Sequence, residues 1–333
     1  MLCMILVSCT GQKTGKENDN NDKIAIEVGE IKFPPQDVLQ LKSYYLSSSV
    51  HVDSIDYLIG YNYRLHSLDC MNLKSKSVTQ IVLPGDGPDA IVRLSGIYAQ
   101  SLDSVWISDE SERAFLIDSV GTIKRMIDLK KYLEDQEQLL INTNYAMFTS
   151  HLFYNASRHS LMFLVKHTPS NTFIVKEVFI DEVGKMATYQ LSSSKVVPDM
   201  SKGYAYINFP NVNFVGENIV YNYPVESSIY MLDIRTNERK YILADSHYTS
   251  NIIEKCTTSG DYATLEKHWL ENSHFYDIMY LPKYKIYARL HADKVDFDEK
   301  KGMEKLINER DLYLMLFDEN MEKIGETKLS NCR

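Results

Sequence analysis

The residues of this chain best placed to do chemistry fall in two groups. Asp86, Asp89 and Arg93 belong to and follow a Pro84-Gly85-Asp86-Gly87-Pro88-Asp89 turn, and His274, Asp277 and Arg289 flank a Leu281-Pro282-Lys283-Tyr284 turn. Carboxylates beside an open channel can bind a cation or a sugar hydroxyl, and two of them about 5–5.5 Å apart, or somewhat more, can act as acid and base on a glycosidic bond. Asp86, Asp89 and Asp277 are the candidates for that role. The competing reading of the first group is structural: glycine and proline shape the turn, and Asp86 bonds local amides. In the second, Arg289 lies among Ile286, Tyr287 and Leu290, where an unpaired charge is costly, so a partner is expected and Asp277 is the nearest choice. That pair is either a structural ion pair or part of a ligand pocket.

Other chemistry finds no support in the spacing. The nine histidines include no His-x-His or His-x-x-x-His pair. One Glu-x-x-His spacing, Glu271 to His274, is interrupted by Asn272 and Ser273, so no metal site is predicted. Gly-x-Ser-x-Gly, Walker and dinucleotide glycine motifs are absent from a chain with only 14 glycines, and neither a cofactor nor a catalytic residue is assigned. The balance of 36 basic against 45 acidic residues, net charge −9 with no basic stripe, argues against nucleic acid as a partner.

Five cysteines, Cys3, Cys9, Cys70, Cys256 and Cys332, are too scattered for a disulfide framework. Cys9 closes Leu6-Val7-Ser8-Cys9, which has the form of a bacterial lipobox. On that reading 1–8 is a signal segment, Cys9 carries the lipid, 9–23 is a polar tether that could not pack as a core, and 24–333 is the folded domain. No other stretch approaches the length of an apolar membrane span.

The elements that must position these side chains are strands in a repeating order. An apolar run (Tyr57 to Tyr61, Val105 to Ile107, Leu161 to Val165, Ile219 to Tyr221, Ile286 to Leu290) is followed by a second run closed by Asp69, Asp118, Asp181, Asp233 or Asp318. A turn with Asn or Gly comes next, then a more charged strand suited to an outer edge. Four-stranded repeats with buried central strands predict an all-β propeller, with an irregular β-sandwich as the alternative. Two insertions, Lys130 to Asn142 and Ala263 to Asn272, are expected to be short amphipathic helices. Ile24 to Phe33 is expected to be a strand that joins the last blade. Five blades, or six with the last incomplete, both fit the chain length. Tyrosine is abundant, 23 against two tryptophans, and is expected in half-buried strand positions.

Three segments carry a family resemblance: Ile81-Val82-Leu83 with Gly87-Pro88-Asp89; Asp103-Ser104-Val105-Trp106 through Phe115-Leu116-Ile117-Asp118-Ser119-Val120-Gly121; and Phe275-Tyr276-Asp277-Ile278-Met279-Tyr280 with Tyr287-Ala288-Arg289-Leu290. Together they resemble the β-propeller lipoproteins of Bacteroidetes grouped as domain of unknown function 4221. The resemblance implies a TolB-like six-bladed propeller held at the outer membrane by a lipid on Cys9, and it implies no activity. The function expected is therefore non-enzymatic binding of a peptide, glycan or partner protein on the loop face. A propeller hydrolase or lyase acting on extracellular glycan or peptide is the alternative.

Overall fold

The computed structural model describes residues 2–8, 25–33, 44, 46–140, 152–196, 209–256 and 262–329. Cys9 and the polar stretch after it lie outside the described residues. Five antiparallel sheets follow one another in chain order, four of them four-stranded and the third extended to five by Glu137–Leu139. Blade one comprises Ser47–Val52, Ile55–Asn62, Ser67–Asn72 and Val78–Val82; blade two comprises Leu94–Ser101, Ser104–Asp109, Arg113–Ile117 and Ile123–Asp128. Blade three comprises Phe153–Asn155, Ser160–His167, Thr172–Phe179 and Met186–Gln190. Blade four runs through Asn211–Val215, Asn218–Asn222, Ile229–Asp233 and Arg239–Ile242, and blade five through His274–Leu281, Ile286–Ala292, Leu312–Phe317 and Lys323–Leu329. Blades one to three form one compact unit, and blades four and five lie in a second that includes 192–333.

Alternation of side chains along each strand buries both faces of a blade. In blade two, Val105, Ile107, Phe115 and Ile117 pack with Ile59, Leu68 and Ile81 of blade one. Trp106, Ala114 and Leu116, which alternate with them, pack with Leu161, Phe163 and Val165 of blade three. Blades four and five share a core of Val220, Ile229, Ile278, Met315 and Phe317. Each such side chain contributes about 1.5–3 kcal/mol by leaving water, which is why the second strands read as nearly continuous apolar runs. Within each unit the first strands of neighbouring blades contact one another: blade one with two, and four with five. That is radial packing and not two stacked layers.

In four of the five blades the hairpin between third and fourth strands is fixed by a carboxylate or amide that accepts from the amides after it, whereas Asp181 of blade three faces Arg125 and His159, each at 3.3 Å. Asp118 Oδ1 accepts from Val120 and Thr122, Asp233 Oδ1 from Arg235 and Thr236, and Asp318 Oδ1 from Asn320 and Glu322, all at 2.8–3.1 Å. In blade one the residue doing this is Asn72, whose Oδ1 accepts from Lys74 and Ser75 at 3.0 and 2.8 Å. Asp69 therefore does not close the third strand as expected. It sits inside that strand, fully buried, and accepts from Tyr44, Asn62 and Gln80.

Three other expectations are corrected. The described residues hold five blades, so six is one too many. Ala25–Ile31 pairs with Leu2–Ser8 in a two-stranded sheet and does not join the last blade. Lys130 to Asn142 does not form an amphipathic helix: a single 3-10 turn, Leu129–Tyr132, is followed by Glu137–Leu139, which pairs with Val165 to His167 of blade three. Strand pairing takes the apolar Leu139 that helical periodicity had claimed. The second insertion does form a helix, Tyr262–Leu270, and a further one, Met303–Glu309, follows the acidic loop after blade five's second strand.

Candidate functional site at the crossover end of the blades

In every blade the loop from second to third strand and the crossover to the next blade emerge at the same end. Crossovers carry few backbone partners of their own, so their buried amides and carbonyls need side chains. A polar side chain of the following blade supplies them each time. Arg113 Nη2 donates to Ala90 O at 2.7 Å while Asp109 Oδ2 accepts from Val92 N at 3.3 Å. Lys176 Nζ donates to Tyr132 O at 2.8 Å. On entry to blade four the ties are tyrosine hydroxyls: Tyr221 accepts from Ser192 N, Tyr223 donates to Ser192 O, and Tyr230 accepts from Lys195 N, each at 2.9 Å. On entry to blade five the tie is Arg289, which donates to Ala244 O at 2.9 Å and to Ser227 O.

The last of these anchors the densest polar cluster. Register places Ile278, Arg289, Met315 and Glu326 in one row across blade five, and Phe275, His291, Tyr313 and Lys328 in the adjacent row. Arg289 is completely buried, between the rings of Phe275 and Phe317 at 4.8 and 5.8 Å. Burial lowers its guanidinium to about 9, against the opposing fields of Glu326, Asp245 and Glu226, so it stays charged at neutral pH. Glu326 accepts from Ser246 Oγ at 2.6 Å and from His247 N at 3.0 Å, and His291 Nε2 lies 3.0 Å from it. Burial alone would raise that carboxyl, but these donors outweigh it and hold it at about 2. Glu226, buried beside Tyr230 Oη at 2.9 Å, is instead raised, chiefly by desolvation.

Further bonds lock the remaining loops of this end. Arg310 donates to Asp293 O and Asn272 O, both at 2.7 Å, and stacks over Trp269. Ser227 N donates to Asn251 O at 2.9 Å, Ile253 N to Val225 O at 3.0 Å, and Val295 N to Leu270 O at 2.8 Å. In blades four and five the crossover loops are thus tied from beneath, an arrangement of the kind that lowers the ordering cost of binding.

The residues picked from sequence divide accordingly. His274 is buried at the start of blade five, accepts from Trp269 Nε1 at 3.3 Å, and is lowered to about 3 by burial and by Arg310. It is therefore neutral at physiological pH. Asp277 sits in the bulge between Phe275 and Ile278, and register sets Ile278 opposite Arg289. The expected Asp277–Arg289 pair is thus replaced by backbone carbonyls of two loops. Asp86 and Asp89 are exposed in the first crossover, and Arg93 lies 3.5 Å from Glu110. That turn is closed by Ile91 N to Pro84 O at 2.8 Å and Ala90 N to Gly87 O at 3.2 Å, and its outside anchors are Asp109, Arg113 and His66 and not Asp86. Among the described residues no group of three or more acidic, histidine or cysteine side chains could hold a metal ion.

Sequence reasoning missed Asp109, Lys176, Glu226, His291 and Glu326. The available signal was a charge inside an apolar strand, such as Lys176 between Val175 and Val178, which demands a partner. Missing was the identity of that partner, because it lies on a loop.

The profile of a domain of unknown function, DUF4221, matches residues 17–328. The crystal structure of a member of that family from Bacteroides vulgatus superposes with TM-score 0.68 at 14% identity, covering 89% of this chain and 84% of that one. A Bacteroides fragilis protein named "Putative exported protein" superposes with TM-score 0.52 at 13% identity, covering 90% of this chain and 74% of that one. No curated protein matches the sequence. With the blades above, these likenesses make the fold an all-β propeller of four-stranded blades.

Proposed function

This chain belongs to the domain of unknown function 4221 family, and we propose that it is an exported, non-enzymatic binding protein of the cell envelope. It takes a peptide, a glycan or a partner protein on the crossover face of its blades. The observation that carries this reading is the consumption of the buried charges at that face by loop anchoring: Arg289, Glu326 and Arg310 all bond loop backbone. A surface fixed this way is built to be recognised.

Export draws on the lipobox at Cys9 and on the likeness to a protein named as exported. No helix among the described residues is long and apolar enough to cross a membrane. The proposed organisation is a signal segment 1–8, a lipid on Cys9, a tether 9–23 and the propeller 24–333, at the outer membrane. Metabolic labelling with a radioactive fatty acid tests the anchor: the chain should take up label, and Cys9→Ala should not.

The binding reading is tested by exposing the purified full chain to a glycan and peptide array scored for both retention and cleavage. Retention without cleavage supports it. Cleavage dependent on Asp86, Asp89 or Asp277 would instead make the chain a hydrolase or lyase.

A further inference from the structure

The row Phe275, His291, Tyr313, Lys328 places four side chains on one face of blade five. The rings stack along it: Phe275 to His291 with centroids 5.5 Å apart, and His291 to Tyr313 at 5.1 Å. The stack is continued by Tyr248 of the crossover, whose ring lies 4.9 Å from Tyr313 at 18°. Phe275, His291 and Tyr313 are buried, whereas Tyr248 is 51% exposed. One face of its ring rests on Tyr313.

The loop carrying Tyr248 is fixed at several points. Tyr248 N and Thr249 N donate to Ser246 Oγ at 3.0 and 3.1 Å, the same hydroxyl donates to Glu326, and Thr249 Oγ1 lies 3.2 Å from His291 Nδ1. Ser246 N donates to Asn251 Oδ1 at 2.7 Å. An exposed aromatic ring on so constrained a loop has lost its conformational freedom before any ligand arrives. At the rim of the stack, Lys328 Nζ donates to Asp311 Oδ2 at 2.6 Å, both side chains being about half exposed. Lys328 is the strand neighbour of Tyr313, whose hydroxyl is raised by burial first and then by Asp311 and Asp293, with Lys328 opposing them.

We infer that Tyr248 is the stacking platform of a sugar-binding site, and that the Asp311–Lys328 pair supplies an acceptor and a donor to the hydroxyls of a neutral oligosaccharide. This rests on the binding reading above and names its ligand class. The carbon-bound hydrogens on one face of a pyranose meet the negative π face of the ring, as other positive edges do. Neighbouring hydroxyls each donate and accept, so a mixed pair suits them. A cationic peptide side chain would have to displace Lys328 from Asp311, which it holds at 2.6 Å. An apolar side chain would desolvate the pair without replacing its hydrogen bonds.

The test titrates the full chain, by calorimetry, with maltohexaose, cellohexaose, xylohexaose, mannohexaose and chitohexaose, and with a lysine-rich peptide as the competing class. At least one oligosaccharide should bind. Tyr248→Ala should weaken that binding by about tenfold, the worth of one aromatic contact. Tyr248→Trp, which keeps both stacking faces and controls for folding, should retain it, and Lys328→Met should weaken it severalfold. Binding unchanged in Tyr248→Ala overturns the inference and leaves the binding reading intact, as does Tyr248-dependent binding of the peptide with none of any sugar. No sugar binding in the titrations overturns it, and an empty array besides overturns the broader reading too.

Discussion

Arg289 of blade five donates from Nη2 to the carbonyl oxygen of Ala244, 2.9 Å away at the exit of blade four. The same guanidinium reaches Ser227 O in the loop between blade four's second and third strands. One buried cation thus fixes two loops of one blade from a strand of the next. Arg113 and Lys176 each reach one carbonyl of the first two crossovers, Ala90 O and Tyr132 O. The repeat is held not only by apolar packing between blades but by a polar tie at each junction.

Arg289→Ala should destabilise the chain by about 3–5 kcal/mol, since it strips two carbonyls of their donor and removes the buried positive charge that faces Glu226 and Asp245, while Glu326 keeps Lys323 and His291. Arg289→Lys should recover only part, because an ammonium cannot reproduce the fork. Urea denaturation midpoints check both.

Lys176, fully buried, pairs with Glu137, which is 3% exposed. Removing one partner strands the other, so Lys176→Met should cost several kcal/mol, whereas Lys176→Met with Glu137→Leu should cost clearly less, at about the level of replacing a buried pair by apolar residues. A double-mutant cycle on thermal midpoints reads the coupling.

Acid should weaken the fold in two windows. His274 is neutral in the fold down to about 3 but takes a proton near 6.5 when exposed, so the unfolded chain binds more protons between those values and stability falls as pH drops through them. Glu326 is ionised in the fold down to about 2 against an ordinary 4.5, so its contribution is complete above 4.5 and is lost between there and about 2. Thermal midpoints measured from pH 7 to 3 should show a shallower decline in His274→Gln than in wild type.

Two hairpin glycines separate backbone strain from collision. Gly121 (φ +85°) and Gly184 (φ +80°) both occupy the left-handed region, but a Cβ at Gly121 would strike Val82 O of blade one, and one at Gly184 meets nothing. Gly184→Ala should cost about 1 kcal/mol. Gly121→Ala should cost distinctly more, by the same denaturation assay.

The blades were legible because their hairpins are written locally. An Asp or Asn that accepts from the amides two to four residues on, then a charged edge strand, recurs with little dependence on the rest of the chain. The error at Asp69 shows the limit. A polar residue inside a strand and one at its end look alike in sequence, and only burial beside Asn62 and Gln80 distinguishes them. Lys130 to Asn142 misled for a similar reason: Leu139 faces Val165 across a strand pair, a partner that periodicity does not encode.

The polar site was half legible. That Arg289 needed a partner followed from its apolar neighbours. The bulge between Phe275 and Ile278 moved Asp277 out of register, and the true acceptors are main-chain carbonyls far away in the chain, which carry no sequence signature. Tyrosine was expected in half-buried strand positions, yet Tyr221, Tyr223 and Tyr230 are buried and Tyr223 lies just past its strand, and nothing local revealed that their hydroxyls hold the entry to blade four.

Hydrogen exchange of the amides from Ser246 to Ile253, compared between wild type and Glu326→Gln at neutral pH, tests most directly whether polar ties beneath the surface hold the recognition loops rigid. The ties predict that exchange there accelerates by an order of magnitude or more, about 1.4 kcal/mol of local opening, while amides of blades one to three keep their protection. Equal protection of that loop in both proteins would contradict the account.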